Sequence, residues 1–318
     1  MKSIATHVGI DVSKASLQVY IDRSDGRKSL KVPNDIEGIR SLIDALGEGT
    51  YVVSLEATGR YEALARRELE KAGMEVHLQN PRRMRKLAEG LGYDAKTDAI
   101  DARTLAATVG FCKASTPRSE LREELGDLSR TISAIKKDRS DYKKRLQTAG
   151  YSDVAKAHVN KLIAEMDETV AALERDYDVR VMQGELAERY KLCQTIPGIG
   201  AATARIIVAE FPDDLSKLTP RQLASYGALC PVDDASGDKV HRSKLKAHGN
   251  MHLKGAFYMP AVNQISSAPW AKELYTKLRA QGKSHQQAIV PVMHKIMLRV
   301  VAVLKRESAW KADPPVRA

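Results

Sequence analysis

The chain has 318 residues, of which 43% are hydrophobic, and a formal net charge of +11. This composition supports folded cores and excludes an intrinsically disordered protein, and the length suits two domains with a connecting piece. No unbroken apolar run approaches the roughly 18 residues of a membrane span, and the first residues lack the apolar stretch of a signal peptide. Three widely spaced cysteines form no C-x-x-C motif. We therefore expect a cytoplasmic protein with reduced thiols and no membrane partner.

The positive charge is concentrated in the last third of the chain. Lys and Arg outnumber Asp and Glu by ten in residues 191–318 and by two in residues 1–116, whereas acidic residues exceed basic ones by one in residues 117–190. A basic surface can serve solubility alone. Because acidic residues are specifically depleted in the last third, we favour a polyanionic partner, most often nucleic acid.

Residues 1–116 are predicted to form a mixed α/β sheet with an antiparallel hairpin at its edge. Strands are indicated by alternating or short β-branched apolar runs, and helices by apolar residues at helical spacing before a closing glycine. The predicted order is three strands, a helix, a strand, a helix and a strand, in the segments THVGIDVS, ASLQVYIDR, SLKVPN, DIEGIRSLIDALG, YVVSLE, YEALARRELEKAG and MEVHLQN. An Asp-Gly pair predicts the turn between the second and third strands.

Residues 117–189 are predicted to form two long helices around a turn at GYSD. Apolar residues in the first helix follow the 4-3 spacing of a heptad seam, which favours a coiled-coil hairpin and a dimer contact over a helical layer packed on the same domain. The first helix carries Leu121, Leu125, Leu128, Ile132 and Ile135, and the second carries Val159, Leu162, Met166, Val170 and Leu173.

Residues 190–318 are predicted to be a compact helical domain that contains the segment CQTIPGIGAATARIIVAEF. Its glycines are spaced differently from a dinucleotide-binding loop, since Thr203 stands where a third glycine belongs. The segment instead resembles a helix-hairpin-helix, in which backbone N–H groups near Gly198 and Gly200 hold a DNA phosphate without reading sequence. The alternative is a plain tight turn between two packed helices.

Four acidic residues stand at positions that are hard to explain by folding alone. Asp11 lies within the first strand, Glu56 ends the apolar strand YVVSLE, and Asp98 and Asp101 lie three residues apart in a helical run. A carboxylate in a buried strand is costly unless it is paired or bound to a cation, and the two helical aspartates repel each other. Mg²⁺ prefers hard oxygen ligands, and two such ions can clamp the oxygens of a phosphoryl transfer. We therefore predict that the four carboxylates bind Mg²⁺.

The motifs GIDVSK, LEATGRY and KTDAIDARTLA, in this order, resemble the acidic motifs of the DEDD insertion-sequence transposases and the related Piv-type DNA invertases. The resemblance spans nearly the whole chain and implies an N-terminal RNase H-like domain of the kind found in Holliday-junction resolvases such as RuvC. It assigns Asp11, Glu56, Asp98 and Asp101 to catalytic Mg²⁺. Lys96 and Arg103 flank the aspartate pair and are predicted to face phosphates, although solvated helix charges are the simpler interpretation.

The same resemblance implies a nucleophilic serine in the C-terminal transposase domain. In the family this serine stands in a Ser-Gly pair a few residues after G-L-x-P. The segment ALCPVDDASG matches that pattern, with Cys230 in place of the usual threonine. The resemblance therefore assigns the nucleophile to Ser236. His241 lies nearby as a possible partner. The basic residues that follow are predicted to bind DNA or stabilise developing phosphate charge, namely Lys239, Arg242, Lys244 and Lys246. The stretch SKLKAHGN departs from the family's S-K-x-G, which leaves roles within 241–250 open.

The resemblance implies a DNA recombinase that forms a phosphoserine link, works as a dimer assembling to a tetramer, and is guided by a bridge RNA. It would be a bacterial cytoplasmic protein, associated with the nucleoid when active. Two alternatives stay open. One is a Piv-type site-specific invertase without a guide RNA, and the other is a junction-resolving nuclease whose carboxylates activate water.

Overall fold

The computed structural model describes residues 5–23, 26–57, 59–93, 97–111, 119–148, 150–212, 214–215, 218–232, 244–245 and 249–311. The chain divides into two compact units, Met1–Pro117 and Arg118–Ala318. The helices predicted for residues 117–189 thus fall within the second unit, and the three-part division into 1–116, 117–189 and 190–318 stays a prediction.

The first unit is built on a five-stranded sheet in the order β3-β2-β1-β4-β5. β1, β2 and β3 pair antiparallel, whereas β4 pairs parallel with both β1 and β5. The mixed sheet with an antiparallel edge is therefore confirmed. The strands are β1 (Thr6–Val12), β2 (Ser16–Arg23), β3 (Gly26–Pro33), β4 (Tyr51–Glu56) and β5 (Glu75–Gln79).

Helices cover the sheet of the first unit. One core forms where apolar side chains on one face of β1 and β4, such as Ile10 and Leu55, pack with Ile39 and Leu69 from two helices. The first of these helices begins at the N-cap Asp35, whose side chain accepts from the Gly38 N–H. The helices are α1 (Ile36–Leu46), α2 (Glu62–Lys71), α3 (Pro81–Gly90) and α4 (Asp98–Thr108), and a 3₁₀ turn, Val109–Phe111, follows.

In its described part, the second unit is helical apart from a short two-stranded ladder. Its core contains Phe211, Phe257 and Val300, all fully buried. The elements are α5 (Glu120–Leu146), α6 (Asp153–Gln183), α7 (Ala187–Gln194), α8 (Ala201–Glu210), α9 (Pro220–Tyr226), β6 (Pro231–Val232), β7 (Lys244–Leu245), α10 (Met251–Ala256), α11 (Tyr258–Ser267), α12 (Pro269–Ala280) and α13 (His285–Arg306).

The two long helices α5 and α6 pack against each other, and α5 also packs against α8. From the predicted seam, Leu125 is fully buried in the core of this unit, and Ile132 is 5% exposed. The apolar spacing thus serves packing within the chain. The structure does not confirm a coiled coil, and the predicted dimer contact stays a prediction.

Helix α13 is long and apolar enough to cross a membrane by length and composition, with a mean hydropathy of 1.6. Polar residues interrupt its sequence, so it contains no unbroken apolar run of that length. In the structure 56% of that window is buried, and Val292, Ile296 and Val300 are fully buried in the core of the second unit. Its hydropathy therefore fits its place as the central helix of that core.

Candidate active site

Asp11 and Glu56 lie side by side near the C-terminal ends of the neighbouring inner strands β1 and β4. Strands β1 and β4 run parallel in a register that pairs Gly9 with Ser54 and Ile10 with Leu55, and the two carboxylates follow one residue beyond the last of these pairs. Since successive side chains alternate between the faces of a strand, Gly9, Ser54, Asp11 and Glu56 all lie on the same face. The sequence placed both residues on strands, and the parallel register brings them together.

Asp98 and Asp101 occupy the first turn of α4. The side chain of Thr97 caps this helix by accepting from the Ile100 N–H at 3.3 Å. Carboxylates are favoured in the first turn because the unpaired N–H groups and the helix dipole place positive charge there. The helix start therefore offsets part of the repulsion between the two aspartates, so their presence does not by itself require a cation.

Gly9 brings helix and strand together. Helix α4 packs against β1, β2 and β4, and a Cβ at Gly9 would clash with the carbonyl oxygen of Ala102 and the amide nitrogen of Ala106. The helix backbone thus lies directly on the strand, on the face to which Asp11 belongs two residues later. This close approach brings the first turn of α4 within electrostatic reach of the strand carboxylates.

The other three carboxylates act electrostatically on Asp11. Burial, together with the negative charges of Glu56, Asp98 and Asp101, raises the pKa of Asp11 to about 6. A backbone hydrogen bond from Val12 opposes the shift. The predicted residues therefore form one concentration of negative charge, centred on Asp11.

In the described part of the chain, no three His, Cys, Asp or Glu side chains stand close enough together to hold a metal ion as placed. The chemistry of the set nevertheless fits a hard divalent cation, because all four donors are carboxylate oxygens. Burial and the neighbouring negative charges raise the pKa of Asp11 because they disfavour its ionised form. A cation bound among the carboxylates would offset that repulsion. The carboxylates would have to move together to share an ion.

Of the basic residues predicted beside the aspartate pair, Lys96 lies outside the described residues. Arg103 is exposed on α4, and its guanidinium lies 5.3 Å from the centre of the Tyr93 ring. This stacking holds the cation at the surface of the first unit and leaves its N–H groups in the plane of the guanidinium to donate. The position is compatible with a phosphate contact, which stays a prediction.

Ser236 lies outside the described residues, as do Lys239, His241, Arg242 and Lys246. The structure does describe the backbone of residues 231–232 and 244–245, on either side of this stretch. Strands β6 and β7 pair antiparallel, with Pro231 opposite Leu245 and Val232 opposite Lys244. The predicted nucleophile lies between these two strands in the sequence.

The predicted glycine motif forms a turn between α7 and α8, and a helix-hairpin-helix is not confirmed. Gly198 has a φ of 83°, in the left-handed region that favours glycine. The amide of Gln264 donates to the Pro197 carbonyl and ties this turn to α11. Gly200 is the exposed N-cap of α8 and supplies no side-chain cap. Backbone N–H groups of the first turn of α8 are thus left without a capping side chain, which is compatible with the predicted phosphate contact.

Gly9, which lets α4 lie on β1, was not singled out by sequence reasoning, and neither was the buried Glu210. Gly9 carried a usable signal, because a lone glycine inside a strand pattern often marks a close approach of backbones. Glu210 carried none, since its side chain is only 1% exposed and its partners lie up to 80 residues away in the sequence.

Two family models match the chain. One, for the DEDD transposases of IS110, matches residues 8–149, and the other, described as "Transposase IS116/IS110/IS902 family", matches residues 190–276. The chain belongs to the IS110 family of DEDD transposases and DNA invertases. These are DNA recombination enzymes. The first model includes all four carboxylates, and the second includes Ser236 and the glycine turn.

Individual relatives agree with this assignment along the whole chain. The "Pilin gene-inverting protein" of Moraxella bovis is 27% identical over 315 residues, which cover 95% of this chain and 96% of that protein. The "Insertion element IS110 uncharacterized 43.6 kDa protein" of Streptomyces coelicolor is 22% identical and covers 99% of this chain and 97% of its own length. Among solved structures, "T. thermophilus RuvC in complex with Holliday junction substrate" matches 35% of this chain and all of that chain at 13% identity, with a TM-score of 0.27.

Proposed function

We propose that this protein cuts and rejoins DNA through a covalent phosphoserine intermediate, using Ser236 together with the carboxylates of the first unit. The observation that carries the proposal is that Glu56, Asp98 and Asp101 all lie close enough to act electrostatically on the half-buried Asp11, on a chain that matches both domains of the IS110 transposases. The mixed sheet, with Asp11 and Glu56 at adjacent parallel strand ends, supports an RNase H-like fold for the first unit.

The four carboxylates would hold Mg²⁺ beside the scissile phosphate. When bound there, Mg²⁺ polarises the phosphoryl oxygens and offsets their charge. Asp11 and Glu56 come from a rigid sheet and would fix the position of the cation. Asp98 and Asp101 come from a helix start and would complete the set as α4 adjusts on the sheet.

In the proposed reaction the Ser236 hydroxyl oxygen attacks the phosphorus. A bond from Ser236 Oγ to phosphorus forms, the bond from phosphorus to one deoxyribose oxygen breaks, and that oxygen leaves as a hydroxyl after taking up a proton. The serine proton passes to solvent. Attack by the hydroxyl of another strand then restores a phosphodiester and releases the serine, so the joining step needs no external energy source.

The test is an incubation with DNA that carries the ends of the element, followed by denaturing electrophoresis. We expect a protein–DNA adduct that forms with Mg²⁺, is absent with chelator, and is lost in Ser236→Ala. The serine mechanism would be refuted if DNA were cleaved without forming an adduct and the Ser236→Ala variant still cleaved it. That outcome would favour the junction-resolving alternative, in which the carboxylates activate water.

We also propose that the basic C-terminal third, which carries ten more Lys and Arg than Asp and Glu, holds a guide RNA as well as DNA. Neutralising phosphates with such a surface gives strong, salt-dependent binding. Nucleic acid that copurifies with the protein should be digested by ribonuclease, and digestion should abolish choice of the DNA target. Target choice that survives digestion would contradict RNA guidance and favour the Piv-type invertase, an alternative supported by the likeness to the Moraxella bovis protein.

A dimer that assembles to a tetramer on DNA is proposed for the same reaction, because two DNA sites must be held while strands are exchanged. Light scattering of the protein alone and bound to the DNA ends measures this directly. A protein that stays monomeric on DNA while still joining strands would contradict the assembly.

A further inference from the structure

Two side-chain amides flank the two strand carboxylates of the first unit. The antiparallel register of β1 and β2 places Gln18 opposite Asp11, and the parallel register of β4 and β5 places Gln79 opposite Glu56. Residues that stand opposite each other in a sheet lie on the same face, and Asp11 and Glu56 are themselves neighbours on that face. The four residues therefore form one row across four strands, which we call the polar row: Gln18, Asp11, Glu56 and Gln79.

The two amides of the polar row differ in their partners. The amide nitrogen of Gln18 donates to Ser29 Oγ at 3.0 Å and to the Leu30 carbonyl at 3.3 Å. Both acceptors lie on β3, on the side of β2 that faces away from β1. Gln79 is only 8% exposed, and its buried Nε2 has no hydrogen-bond partner among the described residues. One amide is thus engaged, and the other is an unused donor on the strand beside Glu56.

An unused donor at this position needs a physical explanation. A buried N–H group without an acceptor lowers the stability of a fold, and native structures pair nearly all such groups. Water does not reach the Nε2 atom of Gln79, since that atom is buried. The charged acceptor beside it in the polar row is the Glu56 carboxylate, on a strand about 4.8 Å away. The donor therefore suits an acceptor that this carboxylate supplies.

The backbone around Gln79 is held on both sides. The N–H of Ala57 donates to the Gln79 carbonyl at 2.9 Å, which continues the pairing of the two strands past Glu56. The next residue, Asn80, is the N-cap of α3, and its side chain accepts from the Arg82 N–H at 3.1 Å. Gln79 and Glu56 thus keep a fixed backbone spacing, and rotation of their side chains alone would bring donor and acceptor together.

We propose that Gln79 is a positioning residue for Glu56: its side-chain amide donates to one oxygen of the Glu56 carboxylate and leaves the other oxygen to bind Mg²⁺. The inference rests on the proposed function, because it takes the four carboxylates as the ligands of Mg²⁺. A carboxylate has enough lone pairs to bind a cation and accept a hydrogen bond at the same time. Loss of a hydrogen bond that orients a metal ligand typically lowers metal affinity about ten- to a hundredfold.

The experiment compares Gln79→Leu with Gln18→Leu in the full-length protein. Each change removes one amide of the polar row and leaves an apolar side chain. Gln18 is the matched control, because it stands beside the other strand carboxylate and its amide nitrogen donates to β3. The affinity for Mg²⁺ is measured by isothermal titration calorimetry with magnesium chloride alone. The melting temperature is measured in the presence of a chelator.

We expect Gln79→Leu to weaken Mg²⁺ binding about ten- to a hundredfold. Its melting temperature in chelator should equal or exceed that of the wild type, because the variant no longer buries an unpaired donor. Gln18→Leu should show the reverse pattern, with a lower melting temperature from its two lost hydrogen bonds and an Mg²⁺ affinity near that of the wild type. Unchanged affinity in Gln79→Leu, or an equal loss of affinity in both variants, would overturn the inference.

If Gln79→Leu fails to fold, Gln79→Met takes its place, since methionine is unbranched, adapts to irregular space and lacks an N–H donor. The same affinities then decide the question. A wild-type protein that binds no Mg²⁺ would overturn the inference together with the metal role in the proposed function. A wild type that binds Mg²⁺ beside a Gln79 variant of equal affinity would overturn the inference alone, which separates the two failures.

Discussion

Gly9 and Ala102 place strand β1 and helix α4 in backbone contact, because a side chain on Gly9 would overlap the Ala102 carbonyl oxygen. Gly9→Ala should therefore force the helix away from the sheet and lower the free energy of unfolding by about 1–3 kcal/mol. Urea unfolding measures the change. Gly90→Ala is the control, since a Cβ there meets nothing within 4 Å. It should leave stability equal or raise it by about 0.4–1 kcal/mol.

Each of the four carboxylates should be needed for DNA cleavage. Changing Asp11, Asp98 or Asp101 to Asn, or Glu56 to Gln, should lower the cleavage rate about a hundredfold or more, since each removes charge that would hold the cation. Asp22→Asn is the matched control, because Asp22 pairs with Arg27 and stands opposite His7, near the far end of β1. A control variant that fails as badly as Asp11→Asn would contradict a local role for the cluster.

Protein stability without metal should depend on pH through Asp11. Its pKa is raised from 3.8 to about 6 by burial and by the neighbouring carboxylates, so between these values the folded state binds more protons than the unfolded state. The free energy of unfolding should then fall as pH rises from about 4 to 6 and level off above that range. Asp11→Asn should lose this component, and added Mg²⁺ should shrink it by displacing the proton. Urea midpoints across this range, with and without chelator, measure it. Identical slopes in wild type and variant would contradict the assignment.

The start of α8 offers a test in which stability and binding move in opposite directions. Gly200 has extended backbone angles and is the N-cap of this helix, so Gly200→Asp should add a capping carboxylate and stabilise the fold by a few tenths of a kcal/mol. The same charge should repel a phosphate and weaken DNA binding, measured by fluorescence anisotropy. Ser152→Asp adds an equal charge at the N-cap of α6 and should leave affinity unchanged. Unaltered affinity in Gly200→Asp would rule out a phosphate contact at this turn.

Local patterns in the sequence predicted the sheet well, because its strands carry alternating or short β-branched apolar runs and a glycine closes both α1 and α2. Gly47, for example, ends α1 with a φ of 69°, as its place after the last apolar residue indicated. Helix α3 was not predicted, since its ten residues carry four basic side chains and few apolar ones, although the N-cap Asn80 and the following proline marked its start.

The candidate site was likewise predictable from the sequence only in part. Asp11 and Glu56 could be assigned to strand ends from local pattern alone, but their adjacency depends on the parallel pairing of β1 with β4. The apolar spacing of Leu125 and Ile132 predicted the helix, but it could not show that these side chains pack within the chain, because such spacing specifies a buried face without specifying what covers it. The burial of Glu210 could not be predicted from the sequence, because its partners are distant in the chain and only the fold brings them together.

The placement of α4 on β1 has a consequence for the cell that makes this protein. Two of the four carboxylates, Asp98 and Asp101, belong to α4, which is synthesised after all five strands of the sheet. A nascent chain released from the ribosome before Asp98 therefore lacks two of the four groups, however well its strands have paired. Under the proposed function, such truncated chains would not cleave the DNA of the host.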